Sequence, residues 1–183
     1  MNREIRAGLP AEIRDDEDGL KVEGYAAVFN QETDIAGDFR ERIEPGAFKE
    51  AIGRDDVVFL INHDGLPLAR TRSGTLTLEE DDHGLKMSTT LDPQDPDVNS
   101  IAGKMKRGDL DKMSFAFDLE DDEWDLSGDT PMRTIKRAKL YDVSIVNIPA
   151  YEGTEIALRS LASARNEETA QEFRLRMKRK LIR

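Results

Sequence analysis

Met113-Ser114-Phe115-Ala116-Phe117-Asp118-Leu119 alternates large apolar residues with small or polar ones. Residues two apart share one face of an extended strand. Met113, Phe115, Phe117 and Leu119 therefore form one face, and four apolar residues mark that face as core. Ser114 points the other way, beside the small Ala116, which leaves space above the hydroxyl. Taken alone, the segment reads most simply as a strand whose second face meets solvent.

Strand signals of this kind dominate from Leu20 to Ile148. Leu20–Asn30 is rich in β-formers, and Gly24 within it predicts a bulge or a close backbone approach. Val57-Val58-Phe59-Leu60-Ile61 is short, continuous and apolar, which predicts a strand covered on both faces. Gly74–Glu79 and Gly84–Thr90 read as a hairpin turning through Glu80–His83. Lys112–Glu120 and Met132–Ile148 are the next strands, joined by an acidic loop from Asp121 to Asp129. Helices are fewer. Pro45 opens a short one that runs to about Ile52 and stops at Gly53. Asp95 caps another, with Pro96 in its first turn, Val98, Ile101, Ala102 and Met105 on its apolar face, and Gly108 as its stop. After Pro149 the pattern turns helical, and Asn166 is placed to cap a last helix. The fold class is mainly β with flanking helices (α+β), built as a barrel or a sandwich.

The 183 residues suit one domain, residues 1–160, with a C-terminal extension, residues 161–183. The formal charge of −11 argues against nucleic acid or an anionic membrane as partner. From Leu161 onward, however, seven basic side chains face three acidic ones. That basic segment reads equally as a tail with a partner and as an ordinary amphipathic helix. The chain has no cysteine, which excludes disulfides, thiolate metal sites and cysteine nucleophiles. No apolar run has transmembrane length and the first residues lack a signal-peptide core, so the expectation is a soluble, intracellular protein.

Three residues could carry chemistry. Ser114 offers a hydroxyl. His63 follows a buried strand at once, which places its ring at a rim or cleft where it could accept a serine proton. Asp142 lies in Leu140-Tyr141-Asp142-Val143-Ser144-Ile145-Val146, with Tyr141, Val143 and Ile145 on one face and Leu140, Asp142, Ser144 and Val146 on the other. A carboxylate buried there needs a partner. Either a histidine serves, or Asp142 sits on an edge and pairs with Lys136, Arg137 or Lys139. A metal-dependent hydrolase built on Asp81, Asp82 and His83 is disfavoured, because neighbours on one turn cannot all converge on one ion.

Spacing alone leaves the function open. The ordered segments Gly24–Phe29, Ile43–Phe48, Asn62-His63-Asp64, Gly74-Thr75-Leu76, Gly84-Leu85, Met113-Ser114-Phe115, Leu140–Ser144 and Pro149-Ala150-Tyr151 resemble the caudoviral prohead protease family, distant relatives of herpesvirus assemblin. The likeness runs from about residue 5 to Ser160. It implies a closed antiparallel β-barrel of the herpesvirus-protease-like type. It also implies Ser114 as nucleophile, His63 as base and Asp142 as third member, where the family usually has Glu. By the same analogy the oxyanion donors are backbone N–H groups near Ala150 and Tyr151. No cofactor and no metal are implied. The implied partners are the major capsid protein with its scaffolding segment, other internal scaffold proteins, the chain itself, and a second copy in a homodimer or higher homo-oligomer. The implied location is the immature prohead in the host cytoplasm. The rival reading is a non-catalytic scaffold or assembly protein of the same fold. Under the protease reading, activity climbs between about pH 5 and 8 as a histidine base is unmasked.

Overall fold

A computed structural model describes residues 3–17, 19–148 and 154–181. Eleven strands form two sheets with three helices among those residues. The larger sheet is ordered β1 (Arg3–Pro10), β10 (Lys112–Asp125), β11 (Met132–Val146), β5 (Phe39–Ile43) and β4 (Thr33–Ile35). Strand β6 (Val58–Ile61) also pairs with β11 and carries β7 (Asp64–Arg70) on its far side. The smaller sheet is ordered β2 (Glu12–Asp16), β3 (Gly19–Val28), β9 (Gly84–Leu91) and β8 (Leu76–Glu80).

One apolar core lies between the sheets. Met113, Phe115 and Phe117 of β10 and Val143 and Ile145 of β11 meet Val22, Leu78, Leu85 and Met87 from the smaller sheet. Helix α2 (Pro96–Arg107) closes one end with Val98, Ile101 and Met105. Its caps are as the sequence predicts. The Asp95 side chain accepts from the Asp97 N–H, and Gly108 takes the left-handed conformation at φ 79°.

The chain crosses from the larger sheet to the smaller one through the single residue Ala11, between β1 and β2. The crossing is tight. A Cβ on Gly8 would strike the Tyr25 and Ala26 carbonyl oxygens, and one on Gly24 would press on Met113 and Ala11. Gly24 thus marks a close approach, with a bulge in the β3–β9 pairing just beyond it, between Tyr25 and Ala27.

Four expectations need correction. The sheets are not wholly antiparallel, because β11 pairs in parallel with β5 over Met132–Ile135 and with β6 over Asp142–Ile145. The chain runs along one edge of β11, leaves it through α1 (Lys49–Arg54), and rejoins the same edge in the same direction. Two contacts fix the detour: Ala138 N–H donates to the Ala47 carbonyl, and Leu140 N–H donates to Asp55 Oδ2. Helix α1 itself starts at Lys49, after a turn from Glu44, and continues past Gly53 to Arg54. The acidic stretch is not a loop from Asp121, since β10 extends to Asp125. Cross-strand pairs such as Lys136 with Glu123 and Arg137 with Glu120 make that extension tolerable. Finally, Asn166 caps nothing. Helix α3 (Thr154–Leu181) runs straight through it, because the flanking Ala, Leu and Glu residues outweigh the roughly 0.7 kcal/mol that one asparagine costs.

Neither sheet closes on itself by hydrogen bonding among the described residues. No helix among them is long and apolar enough to cross a membrane.

Candidate active site

Strand β6 ends beside Ile145 of β11 and turns into β7 through a two-residue hairpin, Asn62-His63, with Ile61 paired to Asp64. Both turn residues have positive φ, 50° for Asn62 and 59° for His63. A two-residue turn of that hand matches strand twist, and it demands φ > 0 at both central positions. Asparagine accepts this readily, whereas a histidine there carries strain of about 1–3 kcal/mol. The Asn62 side chain also accepts the Asn147 N–H, at 3.2 Å. The strained geometry folds the His63 ring back over the sheet.

We expect Asn62→Ala to lower stability by about 1–2 kcal/mol, because alanine lacks asparagine's tolerance of the left-handed region. Asn62→Gly restores the backbone and loses only the Asn147 contact. Thermal unfolding of the two variants should therefore separate by a few degrees, with glycine the more stable. Equal midpoints would contradict a strained turn.

Beneath the ring lie residues of β10 and β11. Ser114 pairs with Ser144, and Ala116 pairs with Asp142. His63 Nε2 stands 2.8 Å from Ser114 Oγ, and Nδ1 stands 2.5 Å from Asp142 Oδ1. The space above Ser114 that its small neighbour creates is thus filled by the imidazole. Ser114 is fully buried, Asp142 nearly so, and the His63 side chain keeps 12% exposure. The second face of β10 is therefore not a solvent face at this point. Asp142 is not an edge residue either. Lys136 and Arg137 pair with Glu123 and Glu120, and Lys139 lies over the Tyr141 ring.

The sequence pattern misplaces one neighbour. A bulge skips Tyr141 in the β10–β11 pairing, so Leu140 sits opposite Phe117 and joins Val143 and Ile145 in the core. Tyr141 donates its hydroxyl to Asp118 Oδ2, and that bond, with burial, raises the phenol above its ordinary value.

Two further site features come from the structure, a backbone group with no signal in the residue pattern and a side chain that the pattern puts on the Asp142 face without showing what it meets. The first is a backbone group: the Ser114 hydroxyl also has the Arg6 carbonyl of β1 within 2.8 Å. A hydroxyl has one proton, so two arrangements exist. If the proton goes to Arg6, Nε2–H must donate to Oγ, and the histidine–aspartate pair holds one more proton. If it goes to Nε2, the ring is neutral, Nδ1–H points at Asp142, and Oγ is ready to attack. The second feature is Ser144, whose Oγ lies 2.8 Å from Asp142 Oδ1 and 3.2 Å from His63 Nδ1. The other Asp142 oxygen, Oδ2, is buried without a partner.

Behind β1, on the core side of the sheet, lies a buried ionic cluster. Arg6 bridges Glu4 and Glu41, and Arg133 bridges Glu4, Glu41 and Asp122. Burial works against the Arg133 charge, but the hydrogen bonds and fields of these carboxylates overcome it and hold the guanidinium firmly protonated. Asp122 also accepts from Ser160 of α3, which in turn accepts from Trp124.

The remaining candidates do not join the site. Asp81 is a turn residue: it accepts from the Tyr25 hydroxyl and from the His83 and Gly84 N–H groups, and the His83 ring packs edge-on against Tyr25. The Tyr25 hydroxyl bond holds the Asp81 carboxyl below its usual range. No three His, Asp or Glu side chains among the described residues are grouped to hold a metal ion. Ala150 and Tyr151, the expected oxyanion region, lie outside the described residues.

The Ser114–His63–Asp142 contacts are of the kind that serine hydrolases use, and known proteins narrow the comparison further. The family model described as caudovirus prohead serine protease matches residues 9–172. The chain belongs to that family. It is 33% identical over 140 residues to the prohead protease of Enterobacteria phage HK97, covering 74% of this chain and 58% of that protein. The chain thus spans rather more than half the length of this relative. No solved structure matches it. Residues 63, 114, 142 and 144 all lie within the matched span.

Proposed function

We propose that this family member is a capsid-maturation serine endopeptidase with Ser114 as nucleophile, His63 as general base and Asp142 as the group that orients the ring. The observation that carries the reading is the continuous chain of contacts Ser114–His63–Asp142, at 2.8 and 2.5 Å, on a turn whose strained backbone holds the ring in place. In this mechanism Ser114 Oγ attacks the peptide carbonyl carbon while its proton passes to Nε2. Asp142 balances the imidazolium. The tetrahedral intermediate collapses, the amine leaves with the Nε2 proton, and water hydrolyses the acyl-enzyme by the same route. The oxyanion donors are proposed at the Ala150 and Tyr151 N–H groups. With Ser114 shielded, a substrate needs an opening movement to reach it.

The substrates under this reading are the scaffolding segment of a major capsid protein, internal scaffold proteins and the chain's own tail, cleaved inside the immature prohead in the host cytoplasm by a homodimer or higher homo-oligomer. The printed name of the HK97 relative, prohead protease, supports the setting. The barrel expected of herpesvirus-protease-like enzymes belongs to the same proposal. The sharp crossing at Ala11, where one chain segment serves both sheets, is how a barrel wall would bend. A non-catalytic scaffold protein has no need of a hydroxyl, an imidazole and an orienting carboxylate in line.

The test uses a fluorophosphonate, which reacts with activated serines. We expect a single covalent adduct on Ser114 in the full chain, located by peptide mass, with labelling at least about 100-fold slower in His63→Ala. An unlabelled wild-type chain, or equal labelling of His63→Ala, would overturn the assignment.

A further inference from the structure

Ser144 sits in the interior of β11, fully buried, directly across from Ser114. Nothing about packing requires a hydroxyl there. Alanine or cysteine would fill similar space, and a buried hydroxyl must be given a partner or it costs free energy. Both partners that Ser144 finds belong to the relay, Asp142 Oδ1 at 2.8 Å and His63 Nδ1 at 3.2 Å. Its own position selects them. Strand alternation puts residues 142 and 144 on one face, and the β6 hairpin brings the ring over both.

The carboxylate makes the need plain. Asp142 has two oxygens; Oδ1 takes both His63 and Ser144, and Oδ2 is buried and bare. A short aspartate holding a ring through one oxygen has little to stop it from turning about its own Cβ–Cγ bond. A second, charge-assisted bond on the same oxygen fixes the carboxylate plane. The same serine can accept from Nδ1–H, which fixes the plane of the imidazole as well.

We propose that Ser144 is a positioning residue of the proposed relay: its hydroxyl donates to Asp142 Oδ1, accepts from His63 Nδ1–H, and so holds the ring in the tautomer that leaves Nε2 free to take the Ser114 proton. It acts through Asp142 and His63 and does not touch substrate. This rests on the assignment of Ser114, His63 and Asp142 made above.

The experiment follows fluorophosphonate labelling of Ser114 in the full chain, with the maximal rate separated from the half-saturating probe concentration. In Ser144→Ala the maximal rate falls about 10- to 100-fold, as expected for a lost bond to a charged group, while half-saturation moves less than about twofold. Ser144→Cys keeps the bulk and supplies only a weak donor, so it falls between wild type and alanine. The downfield proton resonance of His63 Nδ1–H, present in wild type, shifts or broadens in both. In an Asp142→Asn background, Ser144→Ala adds little further loss, because its effect passes through that carboxylate. A purely structural serine would lower the unfolding midpoint and leave the rate of the folded fraction and the downfield proton as they were. If wild type is labelled at Ser114 and either folded Ser144 variant is labelled at the wild-type rate, this inference fails and the relay stands. If wild type is not labelled at all, the relay assignment fails first.

Discussion

Under the proposed function, Ser114→Ala is expected to leave a co-expressed capsid protein at its full mass, and the wild-type chain is expected to shorten it. The loss should be roughly 10⁴- to 10⁶-fold in rate, the range seen when a serine nucleophile is removed and only binding and oxyanion stabilisation remain. The proposed chemistry offers no bypass. Cysteine is absent from the chain, and Ser144, the nearest other hydroxyl of the site, points at Asp142 and Nδ1 rather than at Nε2. The substitution has a structural side as well, since it removes the Ser114 hydroxyl's contacts with the Arg6 carbonyl and His63 Nε2. That costs about 1–3 kcal/mol, or several degrees of unfolding midpoint for a domain of this size. The comparison therefore belongs at a temperature where circular dichroism shows both proteins folded. Intact mass reads both the capsid protein and this chain, so it also tests the proposed removal of the basic tail. Identical masses with wild type and Ser114→Ala would remove capsid processing from the proposal.

Much of this site is legible in the residue order, for reasons that differ from residue to residue. Helix α2 is readable from end to end because its signals are local: Asp95, Pro96 and Gly108 act on their own backbone. Met113–Leu119 is readable because alternation is a property of the strand itself. Its continuation through Asp121–Asp125 is not, because that segment is held by partners on β11 and its own residues look like a loop. The direction of β5 and β6 beside β11 is set by the detour through α1, a tertiary event with no marker in either strand. The same holds at the site. The pattern puts Asp142 and Ser144 on one face, but only the β6 hairpin shows what they face. The hairpin had a signal that could have been used: Asn62 just past a buried strand, with Gly65 close behind, is turn chemistry. The Arg6 carbonyl had none, being backbone.

The ionic cluster is the deepest omission, and it carries the largest effect on stability. Glu4 and Arg6 look like any charged pair on an exposed strand, yet both are buried, with Glu41 and Arg133, among apolar residues. Arg133→Ala should destabilise the fold by about 3–5 kcal/mol. Removing one partner of a buried ion pair strands the other charges, and the desolvation cost remains when the attraction is gone. Here Glu4 and Glu41 would be left to share Arg6 alone, and Asp122 would lose its buried cation. For a chain of this length the unfolding midpoint should fall about 6–20 °C. Arg133→Lys should recover only part of this, since one ammonium cannot reproduce a fork that reaches three carboxylates. The site should feel the change. Strand β1 carries both Arg6 and the carbonyl beside Ser114, and it is an edge strand whose inward side chains are clamped by this cluster. Loosening it frees the Arg6 carbonyl from the serine hydroxyl, so the rate of Ser114 labelling should change in the folded fraction of Arg133→Ala. A midpoint within about 2 °C of wild type would mean that the cluster is solvated and that β1 is held by its backbone pairing with β10 alone.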